Sequence, residues 1–227
     1  MCGRVRLGTD FSQIRIKLRF DQAAPVPNVP ASWNVCPTDP MLVAVNENEK
    51  RVPLQMRWGL VPRWAPDIKV GFKSINARAE TVDTTRGFRD AWKRGRRCLV
   101  ITDGFYEWKK PDKQPYAVGM TDHDLMVMAG LWDEWESPKG EHVKSCSIIT
   151  CPPNAVAGEL HDRMPVILAP DNWGRWLGEE PAAPDELKAL LVPCSDDVLK
   201  VWPVDKAKVG NVRYKDRDAA APVTLAA

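Results

Sequence analysis

Seven short runs of apolar or alternating residues punctuate the chain, at Met41–Val45, Val52–Trp58, Cys98–Thr102, Tyr116–Met120, Leu125–Leu131, Val143–Thr150 and Pro165–Ala169. Their length and pattern predict β-strands. Phe105-Tyr106-Glu107-Trp108 adds a strand-like aromatic stretch. Helical spacing predicts helices over Ser12–Phe20, Thr85–Arg94, Asn154–Leu160, Asp171–Leu177 and Pro184–Leu191. Asp171 and Asp185 stand where acids favour a helix start, and Pro184 suits a first helical position. Strands and helices do not alternate regularly, which disfavours a doubly wound parallel sheet. The pattern predicts a mixed α+β fold, with a largely antiparallel, barrel-like sheet and a few flanking helices. Without an internal repeat or a break in composition, one domain over residues 1–218 is expected, followed by a flexible tail over residues 219–227.

Composition sharpens this picture. With 227 residues, 44% hydrophobic and 27% charged, the chain can bury a substantial core and is not of the disordered class. Its longest uninterrupted apolar stretch, Leu125–Trp132, falls far short of the roughly 20 residues of a membrane-spanning helix. No apolar segment follows the basic residues of the N-terminus, so no secretory signal is read there and an intracellular, cytoplasmic protein is expected. The net charge of +2 conceals an asymmetry: residues 1–110 hold 20 Lys/Arg against 11 Asp/Glu, and residues 111–227 hold 12 against 19. That distribution suggests one basic face, as on a nucleic-acid binder; the alternative is two halves whose charges interleave. The six cysteines contain no C-x-x-C pair, which argues against a disulfide framework. A zinc site from Cys146, Cys151 and His161 matches no common spacing, and no metal is expected. Most of the thiols read as small buried apolar residues.

Cys2 is expected to be the exception. A small residue after the initiator favours removal of Met1, which would leave Cys2 with an α-amine and a thiol on adjacent carbons. Their ordinary pKa values, about 8 and about 8.5, give both a usable nucleophilic fraction near neutrality. The amine can serve as base for the thiol, or condense with an aldehyde while the thiol closes a thiazolidine ring. Alone, an N-terminal Cys is more simply an incidental residue; its context alters that. Glu107 lies among aromatic rings, where burial would raise its pKa and make it a proton donor, unless it points to water. His161 opens a Pro-interrupted turn, a setting for a positioned acid–base group, whereas His123 and His142 lie in charged loops. Asn76 is either an orienting amide or an ordinary turn residue. Arg4, Arg57, Arg63 and Arg78 interleave with Trp58, Trp64 and Trp108, cations for phosphates and rings for bases, as in a single-strand groove. A second basic cluster, Arg86, Arg89, Lys93, Arg94, Arg96 and Arg97, could touch a flanking backbone but reads more simply as solvated helix charge.

Taken in order, Met1-Cys2-Gly3-Arg4, Trp33-Asn34-Val35-Cys36-Pro37-Thr38, Trp58-Gly59-Leu60-Val61-Pro62, Asn76-Ala77-Arg78-Ala79-Glu80-Thr81, Arg96-Arg97-Cys98-Leu99-Val100, Asp103-Gly104-Phe105-Tyr106-Glu107-Trp108, Ala129-Gly130-Leu131-Trp132, His161-Asp162-Arg163-Met164-Pro165-Val166 and Val209-Gly210-Asn211-Val212 span almost the whole chain. In this set the chain resembles the SRAP family of SOS response-associated peptidases, or abasic-site processing proteins. The resemblance implies a sensor that binds single-stranded DNA and captures the ring-opened abasic deoxyribose aldehyde. Cys2 would be the nucleophile, Asn76 would hold it or the opened sugar, Glu107 would shuttle protons, and His161 would assist at the sugar oxygen, in reversal or in strand-cleaving β-elimination. Arg4, Arg78, Trp64, Trp108 and Arg163 would contact DNA. The resemblance also implies self-removal of Met1 and peptidase-like release from DNA; no cofactor is needed, and a monomer without an obligate protein partner is expected. Cys36, Thr102-Asp103 and Cys151-Pro152-Pro153-Asn154 depart from the family's usual pattern without touching a proposed catalytic group.

Three other readings are weighed. A glutamine amidotransferase-like N-terminal nucleophile hydrolase also begins Met-Cys-Gly but needs an Asn-Gly-Asp/Glu segment, absent here. A noncatalytic single-stranded DNA-binding module would need the Arg/Trp groove but not Cys2. A thiol protease of Cys2, His161 and Asn76 would turn over peptides without a free α-amine.

Overall fold

The computed structural model describes residues 2–225. Its strands are β1 (Val5–Leu7), β2 (Ser32–Val35), β3 (Pro40–Glu47), β4 (Lys50–Trp58), β5 (Asn76–Arg78), β6 (Arg97–Thr102), β7 (Gly104–Lys109), β8 (Gln114–Met120), β9 (Met126–Glu136), β10 (His142–Cys151), β11 (Met164–Pro165) and β12 (Leu199–Pro203). The helices are short: α1 (Phe11–Lys17), α2 (Arg89–Lys93), α3 (Ala155–Gly158), α4 (Trp173–Leu177), α5 (Pro184–Ala189) and α6 (Lys206–Gly210). The α+β, barrel-like architecture expected from the pattern is the one observed.

Strands β4, β3, β6, β9 and β10 close a barrel, because β10 pairs antiparallel with β9 and parallel with β4. Closure leaves these strands buried on both sides, so β3 and β6 read as continuous apolar runs rather than alternating ones. Val43, Leu99, Val100, Met128, Leu131 and Ile148 fill the core at 0% exposure. Helix α4 lies over β6, where Trp176 donates its indole N–H to the Cys98 carbonyl at 2.9 Å. The second sheet, in the order β12-β8-β7-β1-β2, is antiparallel and holds the N-terminal strand β1 between β7 and the edge strand β2.

Differences from the pattern have local causes. Strands β1, β2, β5 and β12 are short or rich in polar residues, so periodicity does not report them. The run predicted over Pro165–Ala169 keeps only Met164–Pro165 as strand, then one bridge between Ile167 and Met128. The predicted helix over Thr85–Arg94 shortens to Arg89–Lys93, and Asp171–Leu177 begins as a 3-10 turn. The residues expected to fray from Ala219 are packed as far as Val223. Ala219 is buried, the Ala220 carbonyl accepts from Trp202, and Val223 donates to Pro203. Ala226, Ala227 and Met1 lie outside the described residues, and so does the expectation that Met1 is removed.

Two sequence pieces exist to shape the ground around the N-terminus. Asn34, fully buried, donates to the carbonyls of Val209, Asn211 and Tyr214 and accepts from Arg4, so it pins the C-terminal segment to β2 and β1. Gly59 has φ +116° and a Cβ there would stand 2.6 Å from the Gly71 carbonyl oxygen. That close approach folds the segment after β4 back, with Trp58 donating to Ile75 at 2.9 Å, and delivers Asn76 onto β5 beside β10.

Candidate active site around Cys2

Four polar groups reach one place from four parts of the chain. Cys2 precedes β1, which pairs with β7; Val5 stands opposite Phe105, and the Tyr106 N–H donates to the Arg4 carbonyl at 2.9 Å. This register brings the N-terminal residues alongside Glu107. From β5, the Asn76 Nδ2 donates to the Cys2 carbonyl at 2.7 Å. The Asn76 Oδ1 is buried and accepts no hydrogen bond among the described residues, so the same amide offers an open acceptor. The turn after α3 contributes His161 and Asp162, and the Asp162 charge is felt at Glu107.

Cys2 is as buried as the other core thiols, at 0% exposure, contrary to its expected exception. Burial pushes its thiol well above the ordinary range, and the Glu107 charge adds to the rise; a hydrogen bond from the Arg4 N–H opposes it. Glu107 is 4% exposed, and burial raises its carboxyl pKa, with Asp162 adding to the rise and a bond from the Trp108 N–H opposing it. The upward direction of that shift is the one expected from the aromatic context of Glu107. His161 is partly buried, and that burial lowers its pKa, with Lys110 adding to the fall and Asp162 opposing it. Its Nδ1 lies 3.1 Å from the Arg163 N–H and 2.7 Å from Asp162 Oδ1. Neutral with Nδ1 accepting from Arg163, the ring carries its proton on Nε2; protonated at Nδ1, it donates to Asp162.

The DNA-contact candidates divide. Arg78 on β5 is exposed, and Trp64 is 39% exposed with the Arg86 guanidinium 4.3 Å above its ring. Arg4 is committed to the protein: its Nη1 donates to Asn34 Oδ1 at 2.7 Å and to the Val209 carbonyl at 2.6 Å, and its guanidinium sits 5.7 Å over Trp108. Arg163 is committed too, forked onto Glu80 at 2.5 and 2.9 Å and bonded to the Thr150 carbonyl, with its side chain 11% exposed. The fork ties the His161 turn to the end of β5. Sequence reasoning missed Glu80 and Thr150 as its partners, and assigned Arg86 to solvated helix charge. It also passed over Phe72, 58% exposed with Arg57 at 5.7 Å, although an aromatic between Lys69 and Lys73 was the available signal.

The chain matches the family model of SOS response associated peptidase (SRAP) over residues 1–212. It is 38% identical over 207 residues to the abasic site processing protein YoqW of Bacillus subtilis, covering 90% of this chain and 92% of that one. It is 36% identical over 228 residues to the abasic site processing protein HMCES of Xenopus tropicalis, covering 86% of this chain and 67% of that one. Among solved structures, a protein from Bacteroides thetaiotaomicron superposes with a TM-score of 0.87 at 20% identity, over 98% of this chain and all of that one. A protein from Bordetella bronchiseptica superposes with a TM-score of 0.76 at 24% identity, over 90% of this chain and 100% of that one.

Proposed function

The chain belongs to the SRAP family, and from that premise we propose that it processes abasic sites by covalent capture in single-stranded DNA. The observation that carries the reading is the setting of Cys2: its carbonyl is held by Asn76 at 2.7 Å, with the buried carboxyl of Glu107 beside it. Hydrolytic loss of Met1 turns the Cys2 nitrogen into an α-amine. The amine adds to the C1 aldehyde of the opened deoxyribose, giving a carbinolamine. Glu107, its pKa raised by burial, protonates the departing hydroxyl, and water leaves as the imine forms. The thiol then adds across the carbon–nitrogen bond, the sulfur taking the carbon and the thiol proton passing to nitrogen. One water is lost in all. Asn76 fixes the attacking residue by its Nδ2 and presents Oδ1 to the amine or a sugar hydroxyl. His161, with a mobile proton at the turn, serves the sugar oxygen in ring opening and in the β-elimination that would give lyase activity.

Two kinds of group would hold the strand. Arg78 and the Trp64–Arg86 pair offer exposed charge and ring for phosphate and base. Arg4 and Arg163, held by protein acceptors, act on DNA through the surfaces they fix, Trp108 for one and the His161 turn for the other. The protein acts as a monomer within the cytoplasm in this reading, and the peptidase activity is directed at its own Met1.

The test is intact mass after incubation with a single-stranded oligonucleotide bearing one abasic site. A heat-stable adduct equal to protein without Met1 plus DNA minus one water is expected, and none with Cys2→Ala. An adduct of unchanged yield in the variant would overturn capture by Cys2. Retention of intact DNA without any adduct would favour a noncatalytic binding module.

A further inference from the structure

Arg6 is a buried cation for which the fold has made room. It is 7% exposed, on β1, which lies between β7 and the edge strand β2 of the second sheet. Its guanidinium donates to the carbonyls of Asp103 at 2.8 Å and Val118 at 3.4 Å and lies 5.1 Å over the Trp202 ring. Two glycines create the slot. A Cβ at Gly104, φ +147°, would come within 2.6 Å of Arg6 Nη1, and one at Gly119 within 2.7 Å of Nη2. Among the described residues Arg6 makes no ion pair, and burial pulls its pKa below the ordinary guanidinium value. The charge of Asp103 offsets part of that fall without bonding the guanidinium, and a buried cation with no bonded carboxylate is costly, so its retention calls for an account.

The slot opens into a cavity of about 570 Å³ whose wall also carries His123, Lys200, Arg217 and Met120. Lys200 Nζ stands 2.8 Å from His123 Nδ1, and Arg217 makes no hydrogen bond or ion pair among the described residues. Two carboxylates reach the same wall, and both are occupied. Asp103 accepts from the N–H groups of Gly8 and Thr9 and from the Thr9 hydroxyl. Asp124 is bonded to Lys17 and to the Leu125 N–H. Three permanent cations therefore face the cavity; of its two carboxylates Asp124 is paired with Lys17, and Asp103 keeps its charge but is turned onto neutral donors. Trp202, Met120 and Pro222 give it an apolar side, and its volume lies in the range of pockets that enclose a small organic ligand. Along β1 it lies roughly 13 Å from Cys2, four residues at strand rise, so it is separate from the aldehyde-capturing site.

We propose that this cavity binds a phosphomonoester of nucleotide size, its phosphate on Arg6, Lys200 and Arg217 and its organic part against Met120 and Pro222. Two cations stand near the Trp202 ring, Arg6 at 5.1 Å and Lys200 at 5.8 Å from its centroid, so the ring serves to hold the cations rather than to stack a base. The same chemistry is offered by a free mononucleotide and by the 5′-phosphorylated end of a DNA strand.

Calorimetric titration of the whole protein with deoxyadenosine 5′-monophosphate, and with deoxyadenosine, tests this directly. Binding of the first and not the second is expected. The rim pair Lys200→Glu with Arg217→Glu is expected to weaken it by at least about tenfold, since each charge-assisted phosphate contact removed has an effect of that order. The two side chains are at the cavity rim, and an unchanged melting temperature verifies that the variant is folded. Two undamaged oligonucleotides, with a 5′-phosphate and with a 5′-hydroxyl, separate the sources. Tighter binding of the phosphorylated strand, lost in the double variant, assigns the site to strand ends; mononucleotide binding without that difference assigns it to free nucleotide. No binding of the mononucleotide and no 5′-phosphate effect, or equal binding by parent and double variant, would overturn the proposal. None of these arms involves an aldehyde or Cys2, so the result stands apart from the capture reaction.

Discussion

Cys2 and Cys146 are two thiols at 0% exposure, and the contrast between them isolates what the candidate site adds to burial. Cys146 lies on β10 within the barrel wall, opposite Trp132 on β9 and Trp58 on β4. Burial alone pushes its pKa up to about 12. A thiol so placed is inert at neutral pH. Cys2 suffers the same desolvation, yet Asn76, Glu107 and the Arg4 N–H all act on it. Burial therefore does not distinguish the two thiols; polar groups converging from separate elements do. The raised thiol pKa carries a further lesson. Burial works against the thiolate at Cys2, and in the capture reaction proposed above it would favour attack by the α-amine first, with the thiol closing the ring on the imine.

The contrast is broken most severely by exchanging the two thiols' roles. Cys2→Ser is expected to abolish the heat-stable adduct with abasic DNA, while Cys146→Ala leaves its yield unchanged and lowers stability by about 1 kcal/mol, measured by adduct mass and urea unfolding. Loss of the adduct in the folded Cys146 variant would mean that the barrel thiol takes part. The next largest effect belongs to Glu107→Gln, expected to slow adduct formation about a hundredfold, the scale of one lost general acid. The same substitution has a signed effect on stability. The folded-state pKa of Glu107 is raised, so the native protein binds its proton more tightly than the unfolded chain does. Stability is lost as pH rises from the ordinary Glu value of about 4.3 through the raised folded value. Above that window Glu107→Gln should melt higher than the parent, and below about pH 4 the advantage should vanish. A variant that melts lower at neutral pH would show that hydrogen bonds to the carboxylate outweigh its desolvation.

The chemistry of this site was more legible in the sequence than its geometry. Cys2, Asn76, Glu107 and His161 are unusual residue types for their neighbourhoods, so composition and context single them out one at a time. Nothing in local pattern places them together, because the strands that do so are β1 and β5, three residues each and partly polar. The barrel strands were readable because two-sided burial leaves long apolar runs. The burial of Cys2 was not, since it depends on Asn76 and Glu107 arriving from distant positions. Charge misled in a similar way. Arg4, Arg78 and Arg163 look alike in sequence, but whether a guanidinium is free depends on acceptors far along the chain: Val209 for Arg4, Glu80 and Thr150 for Arg163.

That division among the arginines makes the remaining predictions a matched pair. Arg163→Ala removes the fork to Glu80 and the bond to Thr150, leaving the Thr150 carbonyl with the Ala79 N–H as its one remaining donor among the described residues. Glu80 is half-exposed, so solvent recovers part of the loss, and a destabilisation of about 1–2 kcal/mol is expected in urea. Adduct formation should slow with it, because the His161 turn loses its anchor; Arg163→Lys should restore stability only in part, lacking the second prong. Arg78→Ala makes the opposite, smaller test. Its side chain is exposed, makes no hydrogen bond or ion pair among the described residues and acts only weakly on the charge of Glu80, so stability should be nearly unchanged. Retention on single-stranded DNA should weaken, and the slope of log affinity against log salt should fall by about 0.7, one counter-ion's share. If Arg78→Ala melts lower while Arg163→Ala alters only the salt slope, the division between fixed and free arginines is reversed, and the fork to Glu80 is then a contact that opens when DNA binds.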